Sequence, residues 1–155
     1  YSFIKSDFSL IELLAIAQHH GLPTRLLDWT WNPLVAIYFA VRYSKYHKND
    51  GVIFFTDRNK FTFHDDELNP FQIKDLVIYN PIHKTPRITA QSSLFLLTPF
   101  PNKPIKDSRI DKIIVSKKIK NDVEIILETL GIHQGSLYPG LDGMASYVEW
   151  LHTSY

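Results

Sequence analysis

No cysteine occurs anywhere in the chain. Disulfides, thiolate catalysis and cysteine-ligated zinc are therefore excluded together, stability has to come from packing, and the composition fits a reducing compartment. Charge imbalance is missing too. Seventeen Lys and Arg stand against sixteen Asp and Glu, a net charge of +1, so the sequence lacks the basic footprint that drives nonspecific binding to duplex DNA. No apolar run reaches the roughly 18–20 residues needed to cross a bilayer, and nothing near Tyr1 has the form of a signal peptide. The expectation is a cytoplasmic protein without a membrane partner. P-loop, GxGxxG and GxSxG patterns are also absent, which leaves ATP hydrolysis, Rossmann cofactor binding and α/β-hydrolase chemistry without local support. His47, His64, His83, His133 and His152 lie far apart with no HxxxH or HExxH spacing, so no metal site is expected.

What is present is the composition of a packed protein. The 155 residues are 45% hydrophobic, 14% aromatic and only 21% charged, enough for one domain with its own core. Ser6 or Asp7 can cap a helix from Asp7 to His20, with Phe8, Ile11, Leu14 and Ala15 as its apolar stripe and Gly21 then Pro23 as its stop. Leu22 to Trp31 sustains neither helical nor strand periodicity and reads as an ordered loop pinned by its large side chains. Asn32 caps the next helix, Pro33 fits its first position, and LVAIYFAV is apolar on nearly every face. VIFF at 52–55 reads as a central strand after the turn Asn49, Asp50 and Gly51. LVIY at 76–79, SLFLL at 93–97 and KIIVS at 112–116 read as further strands, and residues 57–75 as short elements at most. NDVEIILETLG is an amphipathic helix capped by Asn121 and closed by Gly131, and a last helix starts near Pro139 or Gly140. The expected fold is α+β, a single domain over 1–155 in which helices pack on a mixed or antiparallel sheet.

Polar groups of different capability concentrate in QHHGLPTRLLDWT. Gln18 and His19 end a helix, Thr24 and Arg25 follow a proline, and Asp28, Trp29 and Thr30 precede the next helix. Gly21 permits a tight turn, Pro23 stiffens it and Leu26 with Leu27 anchors it, so these side chains are presented with little entropy left to lose. Each also has a structural reading. His19 can satisfy helix carbonyls, Arg25 and Asp28 can pair with each other, Thr30 can cap a helix, and Trp29 and Trp31 can anchor the loop. In RITAQSSLF, Gln91 can read an amide or hydroxyl, or make a strand-edge hydrogen bond. Asp142 in GSLYPGLDG is most simply a residue of a helix's first turn.

AQHHGLPTRLLDWTWNPLVAIYFA resembles the signature of FRG domains, and RITAQSSLF and GSLYPGLDGMASYV resemble the two later motifs of that family. The Phe-x-Arg-Gly element that gives the family its name does not occur in these residues and is expected to lie before them. DWTWNPLVAIYFA is also similar to the second motif of ADP-ribosyltransferases, a strand ending in Ser or Thr followed by a helix of the form xxVAxxFA. The resemblance implies an ADP-ribosyltransferase-like fold and a transferase or NAD glycohydrolase that takes NAD as substrate. It implies Thr30 as the second element of the site and Gln91 as the third, the first being the Arg outside the sequence. Breaking the nicotinamide bond develops positive charge on the ribose, so such a site needs donors for the pyrophosphate, an aromatic contact for nicotinamide and a carboxylate or carbonyl at the ribose. Gln91, Asp28 and Thr30 are thus the catalytic candidates, and His19, Thr24, Arg25 and Trp29 the nucleotide-binding ones. The expected biology is a bacterial or phage conflict or defence effector with a macromolecular acceptor or partner protein. The alternative is a noncatalytic module that binds a nucleotide, a nucleic acid or a protein.

Overall fold

A computed structural model describes residues 8–42, 49–64, 68–82 and 85–154. The chain divides into two compact units, one made of Tyr1–Trp29, Asp57–His83 and Leu94–Lys106, the other of Thr30–Thr56, Lys84–Ser93 and Asp107–Tyr155. Both helices and a mixed sheet are present, as the α+β expectation required.

In the first unit, helix α1 (Leu10–His19) starts at Ser9, whose hydroxyl accepts from the Glu12 amide while the Glu12 carboxylate accepts from the Ser9 amide at 2.8 Å. This reciprocal box satisfies two backbone donors that no helix can satisfy internally. The cap is Ser9 and not Ser6 or Asp7, which lie outside the described residues, and the helix begins three residues later than the sequence suggested. The reason is visible in SLIE, which carries the box at the right spacing. At the other end, Gly21 adopts φ +89° and donates to Gln18, while Leu22 donates to Ala17. That pair of bonds needs a left-handed residue, which glycine adopts without the Cβ penalty.

The segment expected to be a loop contains a strand, β1 (Leu26–Thr30). Its hydrogen bonds come from β5 (Ser93–Leu97), which lies between β1 and β4 (Val77–Tyr79) in a sheet of order β1-β5-β4-β3, with β3 at Thr62–His64. Local periodicity cannot register a partner more than sixty residues away. The β4–β5 pair is antiparallel and the β3–β4 pair parallel. Residues 94–97 of β5 are all buried, as expected for an inner strand. Tyr79 and Phe95 face each other in register with nearly parallel rings, and with Leu97 they meet Leu26, Ile11 and Ala15 in a continuous core.

In the second unit, Asn32 accepts from the Leu34 amide at 2.9 Å and Pro33 opens helix α2 (Pro33–Val41), as the sequence predicted. Val35, Tyr38 and Val41 are buried with Val115, Leu127 and Leu137. Strand β2 (Gly51–Phe55) pairs antiparallel with β6 (Asp111–Val115) in a two-stranded ribbon, so it is not the central strand expected. Phe54 is 59% exposed, which shows that apolar content alone did not decide burial. The ribbon is followed by α4 (Lys120–Thr129), whose cap position is Ile119 with no side-chain bond, while Asn121 sits inside the helix. Gly131 at φ +78° ends α4 with the same two-bond pattern found after α1. Two short helices were not anticipated, α3 (Pro86–Ala90) and α5 (Gln134–Leu137), and α6 (Leu141–Ser154) completes the unit. Asp142 lies in the first turn of α6, as expected. Among the described residues, no helix is long and apolar enough to cross a membrane.

Candidate functional site

Two candidate residues of the first unit, Thr24 and Asp28, meet at the side chain of Gln18. Ile11, Ala15 and Gln18 follow one another at helical spacing on one face of α1, and Leu26 and Asp28 follow one another on one face of β1. Ile11 and Ala15 pack on Leu26, and the next pair along the same line is polar: Gln18 Nε2 donates to Asp28 Oδ1 at 2.9 Å. Gln18 Oε1 in turn accepts from the Thr24 hydroxyl, and that hydroxyl accepts from the Leu26 amide at 3.1 Å. The sequence placed Gln18 among the polar groups of this segment but gave it no site role, whereas the structure makes it the residue that joins Thr24 and Asp28. Its signal was its place seven residues after Ile11 on the buried stripe.

Arg25 and Asp28 do not form the pair considered from the sequence. Three positions apart around a strand, they fall on opposite faces. Arg25 donates to the carbonyl of Pro70 and lies over the Phe71 ring, 4.7 Å from its centre. A guanidinium carries five N–H donors, and among the described residues Pro70 is the one acceptor found for Arg25. Asp28 is exposed, with Gln18 as its partner. Trp29 is half-buried, and His19, the last residue of α1, meets His20 edge-on at 5.6 Å.

The two remaining candidates meet in the second unit. The Thr30 hydroxyl donates to the Gln91 carbonyl at 2.7 Å and accepts from the Asn32 amide at 3.0 Å. Gln91 terminates α3, and its buried side-chain amide donates to the Leu137 carbonyl at 3.0 Å. Neither a strand-edge bond nor a cleft-facing amide describes it, because residues 86–90 are helical and turn Gln91 inward. Ser92 follows at φ 47°, a left-handed conformation that non-glycine residues seldom adopt. The Arg87 guanidinium stacks 4.6 Å from the Tyr138 ring centre, and the Tyr138 hydroxyl accepts from Arg42 at 2.8 Å.

A second site, which sequence reasoning missed, is an open cleft of the same unit, lined from α2, α4, α5 and α6. Its walls include Arg42, Glu124, Glu128, His133, Tyr147 and Trp150. These positions span more than a hundred residues, so no local motif could have announced them. The His133 ring stacks on Tyr147 with 3.8 Å between centroids. Burial pushes the His133 pKa below its ordinary value, against a smaller upward pull from Glu128.

Residues 3–49 match the family model described as the FRG domain. The match takes in α1, β1 and α2 and bears out the resemblance carried by AQHHGLPTRLLDWTWNPLVAIYFA. No curated protein and no solved structure compared with the chain matches it.

Proposed function

We propose that the chain is an NAD-binding domain of the ADP-ribosyltransferase-like kind, with NAD as substrate. The observation that carries this reading is the order strand, threonine, helix: β1 ends on Thr30 and α2 begins at Pro33. That is the form of the second ADP-ribosyltransferase motif to which DWTWNPLVAIYFA is similar. Chemical capability adds support residue by residue. Arg25 retains N–H donors suited to a pyrophosphate, Trp29 offers a half-buried indole for nicotinamide, and Asp28 carries an exposed carboxylate. In the reaction, the bond between nicotinamide and ribose breaks, nicotinamide leaves with the bonding electrons, and water or an acceptor nucleophile bonds to the ribose carbon and loses its proton. A carboxylate near the ribose stabilises the cation that develops. Asp28 fills that role better than Gln91, whose side-chain amide donates to Leu137.

Incubation with NAD, followed by assay of free nicotinamide and of ADP-ribosylated macromolecules, tests the proposal. Nicotinamide release that is lost in a folded Asp28→Ala variant is the expected result. A protein that neither binds nor turns over NAD refutes it. A specific observation favours a second reading: the side chains of both Thr30 and Gln91 are engaged in internal hydrogen bonds. On that reading the domain binds a nucleotide, nucleic acid or partner protein without chemistry, and Asp28→Ala weakens binding while no nicotinamide is released by any variant. A bacterial or phage defence effector fits either version.

A further inference from the structure

The cleft of the second unit has a hydrogen-bonding inventory that narrows its ligand. Glu128 Oε1 accepts from the Tyr147 hydroxyl at 2.7 Å, and no partner is found among the described residues for the other carboxylate oxygen. His133 Nδ1 accepts from the Ser136 amide at 3.3 Å, which places the proton of the neutral ring on Nε2, again without a partner among the described residues. Gln134 Oε1 accepts from the Tyr38 hydroxyl at 2.6 Å, leaving the amide N–H groups of Gln134 in the same condition. One acceptor and two donors therefore stand uncommitted around one cleft.

Rings supply the remaining surface. Tyr147 lies within 16° of parallel to His133 and within 15° of parallel to Trp150, so the wall is a series of similarly oriented planes. A flat molecule can extend the series, gaining stacking energy at little cost in orientation. Charge excludes the simpler alternatives. Glu124 and Glu128 oppose an anion, while Arg42 and the two donors oppose a plain organic cation, which needs only acceptors and ring faces.

We infer that this cleft binds the edge of a neutral planar heterocycle of the purine-base class. Its exocyclic amino group donates to Glu128, and a ring nitrogen or carbonyl accepts from Gln134. The cleft shares no residue with the proposed NAD site, and guanosine, which is not a part of NAD, is the probe that separates the two readings.

The test is ligand-observed NMR and equilibrium dialysis of the chain with guanosine, adenosine, cytidine, choline and inorganic phosphate. Purine nucleosides should bind, cytidine, which carries the same amino group and ring acceptor on a smaller ring, should bind more weakly, and choline and phosphate should not bind. Glu128→Gln keeps an oxygen to accept from Tyr147 but removes the negative charge, and should weaken purine binding roughly tenfold. Ser146→Trp places a bulky ring at an exposed position of the cleft wall and should abolish binding while circular dichroism and melting temperature stay close to wild type. Preference for choline or phosphate, absence of purine binding, or full affinity in folded Ser146→Trp each overturns the inference.

Discussion

The amide of Gln18 holds the carboxylate of Asp28 at 2.9 Å and the hydroxyl of Thr24 at its other end. A single side chain at the end of α1 thereby fixes both the entry to β1 and a residue within it, and the turn through Gly21 and Pro23 is closed by side chains as well as by its backbone. The polar candidates that looked in the sequence like a row of independent ligand contacts are in part a device for holding that turn.

Removing the central amide should show this. Gln18→Ala is expected to cost about 1 kcal/mol, the ordinary net value of a partly exposed hydrogen-bond pair. Thermal unfolding of Gln18→Ala, Asp28→Ala and the double variant checks it. The double variant should be less destabilised than the sum of the singles, because both remove the same bond.

Thr30 makes a different prediction. Thr30→Val keeps the shape but strips the acceptor used by the Asn32 amide and the donor to the Gln91 carbonyl, and should cost about 1–3 kcal/mol. Thr30→Ser retains the hydroxyl and should recover most of that stability. Urea denaturation of the two variants separates the hydroxyl from the methyl group.

At Gly21 the requirement is conformational, since an added Cβ would meet nothing within 4 Å but φ is +89°. Gly21→Ala should therefore cost about 1 kcal/mol, and Gly21→Asn less, because asparagine tolerates the left-handed region. Melting temperatures of the pair check the order.

Acid should weaken the second unit in two stages. With the His133 pKa lowered from 6.5, the unfolded ring binds its proton first, so native stability declines as pH falls below 6.5 toward the folded value. His133→Asn, which keeps a capping acceptor without a titrating ring, should flatten that decline. Asp107 is held at about 2, first by the Arg109 side chain and then by the Arg109 amide. Its contribution is complete above 3.8 and is lost as pH falls through about 2. Unfolding followed against pH for wild type, His133→Asn and Asp107→Asn resolves the two stages.

Local chemistry announced much of the fold. The Asn32 cap with Pro33, the glycine stops at 21 and 131, and the run SLFLL were legible because each is decided by a few neighbouring residues. β1 was hidden because LLDWT shows no clean alternation and becomes a strand through β5. VIFF misled in the opposite direction, since it lies in a two-stranded ribbon with Val52 and Phe54 exposed. For the candidate site, Gln18, Thr24 and Asp28 of QHHGLPTRLLDWT meet in the structure, but their pairing depended on which face of α1 met which face of β1. Gln91 was singled out for a versatile amide. Helix α3 directs that amide to a backbone carbonyl, and nothing in RITAQSSLF alone reveals it.

The order of the four-stranded sheet bears on how the protein comes into being. Among the described residues, 3–49 hold one strand of that sheet, β1, and the strand it bonds to is not completed until Leu97 has been synthesised. On the ribosome, β1 must wait for more than sixty further residues before its backbone can pair with β5, with closure of a long loop as the entropic hurdle. The most recognisable part of the sequence thus emerges well before the strand that secures it.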